Sequence, residues 1–339
     1  MKPLFVMLAV LPFLSACNQP ESPNAELFPA TGAENVNPDT HLVLTFTDSP
    51  IVGMIRIYDA MSHQIVDSLD LSIPSGPTES RTYGPECDYT KIPYDYTRTH
   101  MPTNRDTRPG TPSGMAEPTP PDYQLNIIGG FTDAFHFHPI IVRDSTATIY
   151  LHNNMLDYNH SYYVTIDEGV LTLPDHSFHG ISKEHNWSFK TKESAPASTD
   201  TLIVDATGQG DFNTVQGALD FIPDFSQKQT VILIQAGDYE ELVYARNKTN
   251  VKIKGAGMDR TRVHYANNEV FNPHPLTVKT NEWPGTFPSR RAAFMLDNCS
   301  DILLEDLTIA TDLHGQAEGL LLNGERIALY SVHIIGSGD

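Results

Sequence analysis

Two stretches near the C-terminal end repeat each other at an offset of 25 residues, and this repeat limits the folds open to the chain. Asp301 to Ile309 aligns with Arg326 to Ile334, matching Ile302 with Ile327, Leu304 with Leu329, Leu307 with Val332 and Ile309 with Ile334. Short alternating apolar strands with polar corners at this period are the pattern of a stacked parallel β-helix. Each coil buries one row of side chains against the next, and no coil is stable alone. Asn250 to Ile253 fits the same register as Asp301 to Leu304 at an offset of 51, which reads as two periods. Between Ala266 and Arg291 the register is broken by a Pro- and Asn-rich loop carrying Phe271, Trp283 and Phe287.

Upstream, Leu202-Ile203-Val204, Thr230 to Ile234 and Val251 to Lys254 read as further strands of this unit, which spans 201–339. A short amphipathic helix with Val215, Ala218, Leu219 and Ile222 on one face lies among them, capped by Asn213 or Thr214 and stopped by Pro223. Its expected task is to cover the open apolar end of the first coil. Residues 193–200 form a linker. Residues 31–192 are all-β, with alternating strands at His41–Phe46, Met54–Tyr58, Ala147–Leu151, Tyr162–Ile166 and Asn186–Thr191. Such spacing predicts a sandwich, interrupted from Pro74 to Pro121 by a long stretch dense in Pro, Thr, Tyr and Gly.

At 339 residues the chain has room for two or three domains. Its net charge of −20 and lack of a basic stripe exclude nucleic acid as a partner. Lys2 and the apolar run Leu4 to Leu14 are too short to span a membrane and read as a signal-peptide core. Leu14-Ser15-Ala16-Cys17 resembles a bacterial lipobox, which implies lipidation at Cys17 after removal of the residues before it, and Asn18 implies sorting to an outer membrane. Residues 1–17 are then the signal, and 18–30 a flexible tether. The two remaining cysteines, Cys87 and Cys299, are too few for a disulfide framework and are expected unpaired. Histidines 136, 138, 152, 160, 176, 179 and 185 crowd the sandwich region. His136 and His138 would share one strand face, but the spacing of the rest matches no ligand set. No metal is expected, and these side chains read as polar surface. Gly208-Gln209-Gly210 lacks phosphate-loop spacing and its lysine.

Pro29 to Phe46, Tyr162 to Ile166 and Trp187-Ser188-Phe189 together resemble a bacterial Ig-like domain, a class that usually acts as a spacer or binding platform. The downstream unit resembles the pectin methylesterases. The resemblance rests on five ordered elements: Gly210 to Gln216 with Ala218 and Pro223; Ala236 to Glu241; Asn250 to Gly257; Leu307-Thr308-Ile309 with Gly315 to Leu320; and Gly336-Ser337-Gly338-Asp339. It implies a right-handed parallel β-helix, incomplete at the C-terminus, and hydrolysis of methyl esters on galacturonate units of pectin without a cofactor. It also implies that Gln316 helps bind the ester oxygen as it becomes negative, and that Asp339 is general acid and then general base. The nucleophilic aspartate and a substrate-orienting arginine would lie on later coils, so residues 1–339 by themselves are expected to aggregate or be inactive. Where the family commonly has a second glutamine this chain has Gly338, which puts one oxyanion donor in doubt. Trp283 and Phe287 could stack on sugar faces or form a small local core. Three other readings stay open: an acyl-CoA thioesterase-like relative at the outer membrane, a non-catalytic carbohydrate-binding β-helix, and a polysaccharide lyase. The lyase would want clustered aspartates for calcium, which the sequence lacks.

Overall fold

The computed structural model describes residues 25–46, 54–73, 75–76, 114–115, 123–129, 135–171, 173, 177–182, 186–272 and 290–337. Cys17, Cys87, Trp283, Phe287, Gly338, Asp339 and most of the Pro74–Pro121 stretch lie outside them. In chain order the first strands are β1 (Glu26–Phe28), β2 (Ala33–Val36), β3 (Leu42–Thr45), β4 (Met54–Asp59), β5 (Ile65–Asp70) and β6 (Gly114–Met115). They are followed by β7 (Leu125–Ile127), β8 (Phe135–His136), β9 (Ile140–Arg143), β10 (Thr146–Ile149), β11 (Ser161–Ile166) and β12 (Ser188–Thr191). One sheet runs β1-β3-β10-β9, a second runs β2-β12-β11-β4-β5, and β6-β7-β8 form a small third. Pairing is antiparallel except between β2 and β12. The period-2 alternation of the strands explains the sandwich: Leu42, Leu44, Ala147 and Ile149 from one sheet meet Ile55, Ile57, Tyr162 and Val164 from the other in a single apolar core. Trp187 is fully buried there, its indole N–H donating to the Pro29 carbonyl at 2.9 Å.

The second unit comprises β13 (Thr201–Val204), α1 (Val215–Phe221), β14 (Thr230–Ile234), β15 (Gly237–Glu240), β16 (Val243–Arg246), β17 (Thr249–Lys254), β18 (Thr261–Tyr265), β19 (Ala292–Thr311) and β20 (Glu318–Ile335). Every pairing among these strands is parallel. Strand β19 stacks along its length on β16, β17 and β18 in turn, and β20 stacks on all of it, making coils of a parallel β-helix. The chain turns its corners at left-handed residues that recur from coil to coil. Asn250, Asp301 and Arg326 share one corner, and Asp306 and Ser331 another, each with φ between 52° and 57°. Small polar side chains tolerate this conformation best, which is why the corners read as polar in the sequence.

The pairs Ile302–Ile327, Leu304–Leu329, Leu307–Val332 and Ile309–Ile334 are direct register partners, as the repeat predicts. The offset of 51 is corrected. Val251 pairs directly with Ile302, so the interval is one coil enlarged by the loop between Ala266 and Arg291 rather than two periods. Helix α1 buries Val215, Ala218 and Leu219, and Ile222 behind it, against the first coil. Thr214 is its N-cap and accepts from Gly217 N at 2.9 Å.

The sandwich is more than a spacer at this junction. Ile128 and Phe135 share a buried cluster with Leu242, Tyr244, Tyr265, Phe271 and Met295 of the β-helix. Gly129 adopts φ +63°, and a Cβ there would lie 1.7 Å from the Tyr244 carbonyl oxygen, so the two backbones touch. The opening N–H groups of α1 are taken by carboxylates from both sides: Asp39 accepts from Asn213 and Thr214, and Glu241 from Val215 and Gln216. Burial pushes the Glu241 carboxyl up to about 7 and also raises Asp39.

Inside the coils, Arg246 donates from Nε to Asp297 at 2.8 Å, with side chains 3% and 0% exposed. Removing one partner leaves the other charge buried, so Arg246→Met is expected to cost about 3–5 kcal/mol. Adding Asp297→Leu should restore most of that loss. Urea unfolding of the single and double variants measures both.

Candidate active site

Loop 312–317 joins β19 to β20 and carries Gln316, which is exposed. Contacts on both flanks fix its shape. Gly315 takes φ +95°, and its N–H donates to Ser337 Oγ at 3.2 Å. Ala317 and Ser337 exchange backbone hydrogen bonds of 3.0 and 2.8 Å. On the other side, Glu269 N donates to the Gln316 carbonyl at 2.9 Å, and Asn268 Nδ2 donates to the His314 carbonyl at 2.9 Å. Gln316 is thereby tied to the segment that runs on, two residues later in the sequence, to Asp339. An open cleft of about 470 Å³ lies here, lined by Arg291, Gln316, Glu318, Leu320, Ile334 and Ser337 among others.

Arg291 was not apparent from the sequence. It precedes β19, and because Ala292 pairs with Glu318 it stands beside the Gln316 loop one coil away. Its Nη1 donates to Gln316 Oε1 at 2.5 Å and to Glu269 at 2.9 Å, and its Nε to Glu318 at 2.5 Å. Burial works against the guanidinium charge, but the Glu318 and Glu269 carboxylates outweigh it and hold the group firmly protonated. The signal that could have found Arg291 is its coil register: it precedes Gln316 by 25 residues, the offset at which 301–309 repeats as 326–334.

Sequence reasoning also passed over a second polar group, where β15, β18 and the end of β19 meet the sandwich. Glu240, His264 and Asp312 each offer an atom within 4.8 Å of the others, a spacing that could hold a metal ion. The atoms are already charge-paired within the protein. Arg143 of β9 binds Glu240 in a two-pronged contact, and Arg262 donates to Asp312 at 2.7 Å. His264 Nδ1 contacts Asp312, and Nε2 lies 3.2 Å from Asp238. Burial would depress the imidazolium, yet bonding and charge from Asp238 and Asp312 push it up to about 9. With these atoms taken up by Arg143, Arg262 and Asp238, the group reads as an ion-paired clasp between sandwich and β-helix.

The histidines predicted to be polar surface are corrected in part. His136 is buried, with Nδ1 2.6 Å from the Phe271 carbonyl oxygen. His138 stacks on the Phe271 ring at 4.6 Å, and His152 is buried against Asp67 at 2.7 Å. Exposed His160 and His179 fit the expectation. Cys299 is a buried free thiol, pushed up to about 12 by burial and so unreactive.

The pH dependence of the clasp has a definite sign. The folded His264 value lies above its ordinary 6.5, so its contribution is full below about 6.5 and is lost as pH rises through about 9. The protein's stability should fall over that window, and His264→Asn should flatten the fall. Thermal melts from pH 6 to 10 test this.

Residues 201–339 match the Pectinesterase family model. A probable pectinesterase of Arabidopsis thaliana, "Probable pectinesterase 8", is 28% identical over 152 residues, covering 44% of this chain and 37% of its own. The chain spans less than half the length of the curated relatives it matches. Among solved structures, the pectin methylesterase from carrot is 23% identical at a TM-score of 0.30, covering 42% of this chain and 44% of its own. The pectin methylesterase from Erwinia chrysanthemi is 19% identical at 0.31, with the same coverage. Residues 201–339 thus carry a pectinesterase family-model match, with pectinesterase relatives over part of their length.

Proposed function

We propose that this chain belongs to an exported pectinesterase, a carboxylic ester hydrolase that removes methyl groups from galacturonate units of pectin. The observation that carries the reading is the family match over 201–339, on a β-helix whose described cleft presents Gln316. In the proposed reaction an ionised aspartate from a following coil attacks the ester carbon, and the carbonyl oxygen takes up negative charge. The Gln316 amide N–H groups stabilise that oxygen. The methoxide leaves with the proton of Asp339, giving methanol and an acyl-enzyme anhydride. Asp339 then takes a proton from water as the water oxygen attacks the acyl carbon, freeing the galacturonate carboxyl and regenerating the aspartate. Two carboxylates can divide these roles only where their surroundings separate their pKa values. No metal or organic cofactor enters this scheme.

The same proposal takes Trp283 and Phe287 as sugar-stacking residues and Cys17 as a lipid anchor to the outer membrane. It places an Ig-like sandwich between the anchor and the catalytic domain. Among the described residues no helix is long and apolar enough to cross a membrane.

The test is methanol release from highly methylated pectin by the full-length protein. Gln316→Ala is expected to lower kcat about 100- to 1,000-fold, and Asp339→Asn to abolish turnover. Both variants matching wild type would overturn the assignment of the site. Thioester hydrolysis with no methanol release would move the substrate to acyl-CoA esters. Labelled palmitate should be incorporated into the wild-type protein and absent from Cys17→Ala.

A further inference from the structure

We propose that Arg291 is a positioning residue that fixes which end of the Gln316 amide acts as the donor, an inference that rests on the esterase reading above. A primary amide carries an acceptor at one end and two donors at the other. A guanidinium carries donors only, so Arg291 Nη1, 2.5 Å from Gln316 Oε1, selects that oxygen and leaves Nε2 at the opposite end of the amide. A flipped amide would set its NH₂ against the guanidinium. It would also turn a carbonyl oxygen toward the place where negative charge develops. One contact therefore separates a stabilising orientation from a repelling one.

Arg291 can do this because it is held from two sides. Glu318 takes its Nε at 2.5 Å, and Glu269 takes Nη1 at 2.9 Å. The same Glu269 grips the Gln316 carbonyl through its backbone N–H at 2.9 Å. Arg291, Glu269 and Gln316 thus close a ring, in which both backbone and side chain of Gln316 are anchored to the preceding coil. Two carboxylates already surround the one guanidinium, so Arg291 is engaged in the ring rather than available to take a galacturonate carboxylate.

In the full-length protein, Arg291→Met is expected to lower kcat for methanol release about 100-fold, with KM changed less than about twofold because ground-state binding is untouched. The double variant Arg291→Met/Gln316→Ala should be no slower than Gln316→Ala, since two residues acting as one unit are not additive. Arg291→Lys, still a donor, should recover part of the rate and guards against misfolding of the Met variant. Multiplicative losses in both backgrounds, or a loss confined to KM, would overturn the proposal. A readout independent of turnover is the Gln316 side-chain amide in ¹⁵N-glutamine-labelled protein, assigned by its disappearance in Gln316→Ala. It should be ordered in wild type and mobile in Arg291→Met; equal mobility in the two refutes the positioning role whatever the activity. Wild type that releases no methanol, yet keeps an ordered and Arg291-dependent amide, sinks the esterase reading and upholds the orienting contact.

Discussion

Parallel stacking of coils is the constraint on which the rest of this molecule depends. A strand such as β19 cannot satisfy its own backbone N–H and C=O groups; β16, β17 and β18 take one edge and β20 the other. Side chains obey the same logic, because positions in register on neighbouring coils lie about 4.8 Å apart. Val251, Ile302 and Ile327 form one apolar row through three coils. The same spacing brings Arg246 onto Asp297, Asn247 onto Asn298 and Arg326 onto Asp301. Polar chemistry built on such a scaffold is placed by register rather than by proximity in sequence, and the Arg291–Gln316 contact is an instance.

What was legible in the sequence follows from this. The repeat 301–309 against 326–334 gave its four apolar pairs correctly, because each is a period-2 alternation on a regular coil. The helix face Val215, Ala218, Leu219 and a cap at Asn213 or Thr214 were equally plain, since both depend on local spacing, and Thr214 is the one that caps. The 251–302 row was misjudged because a loop of nearly one repeat length lies within a single coil and imitates an extra period. Strands β15, β16 and β18 are short, and Gly237, Glu240 and Arg246 blunt their apolar signal. Gln316 could be named from a resemblance. Arg291 precedes Gln316 by the same 25 residues as the repeat, but it was passed over because only the apolar positions of that repeat were followed, and Glu269 lies in the loop where no repeat runs.

The junction with the sandwich illustrates a different blind spot. A run of histidines in a loop-rich β region reads as solvated surface, and a domain that resembles a spacer suggests few contacts. Yet His136 and His138 lie against Phe271, and His136 and Asn272 exchange hydrogen bonds of 2.8 and 3.2 Å. Phe271 belongs to the loop that begins after β18, the same loop whose Asn268 and Glu269 hold residues 314 and 316. The sandwich therefore braces the backbone behind the candidate site through a short and continuous set of contacts. No local pattern encodes such an interface, because its complementary halves are some 130 residues apart.

A carboxylate's role in this protein is decided by what already occupies its oxygens. Asp39 and Glu241 are an acidic pair with raised pKa values beside a cavity, which would attract a catalytic reading on titration grounds. Their oxygens are filled by the backbone N–H groups that open α1, so proton exchange there would uncap the helix and loosen the junction. Asp238, Glu240 and Asp312 are similarly committed to His264, Arg143 and Arg262. The Gln316 loop differs in kind: its backbone is tied down on both flanks while its side chain lies exposed in an open cleft. Fixed backbone with an exposed functional end is what catalysis by preorganised dipoles requires. Geometry of that kind, more than perturbed titration, distinguishes the cleft at β19 and β20 from the acidic clusters that hold the molecule together.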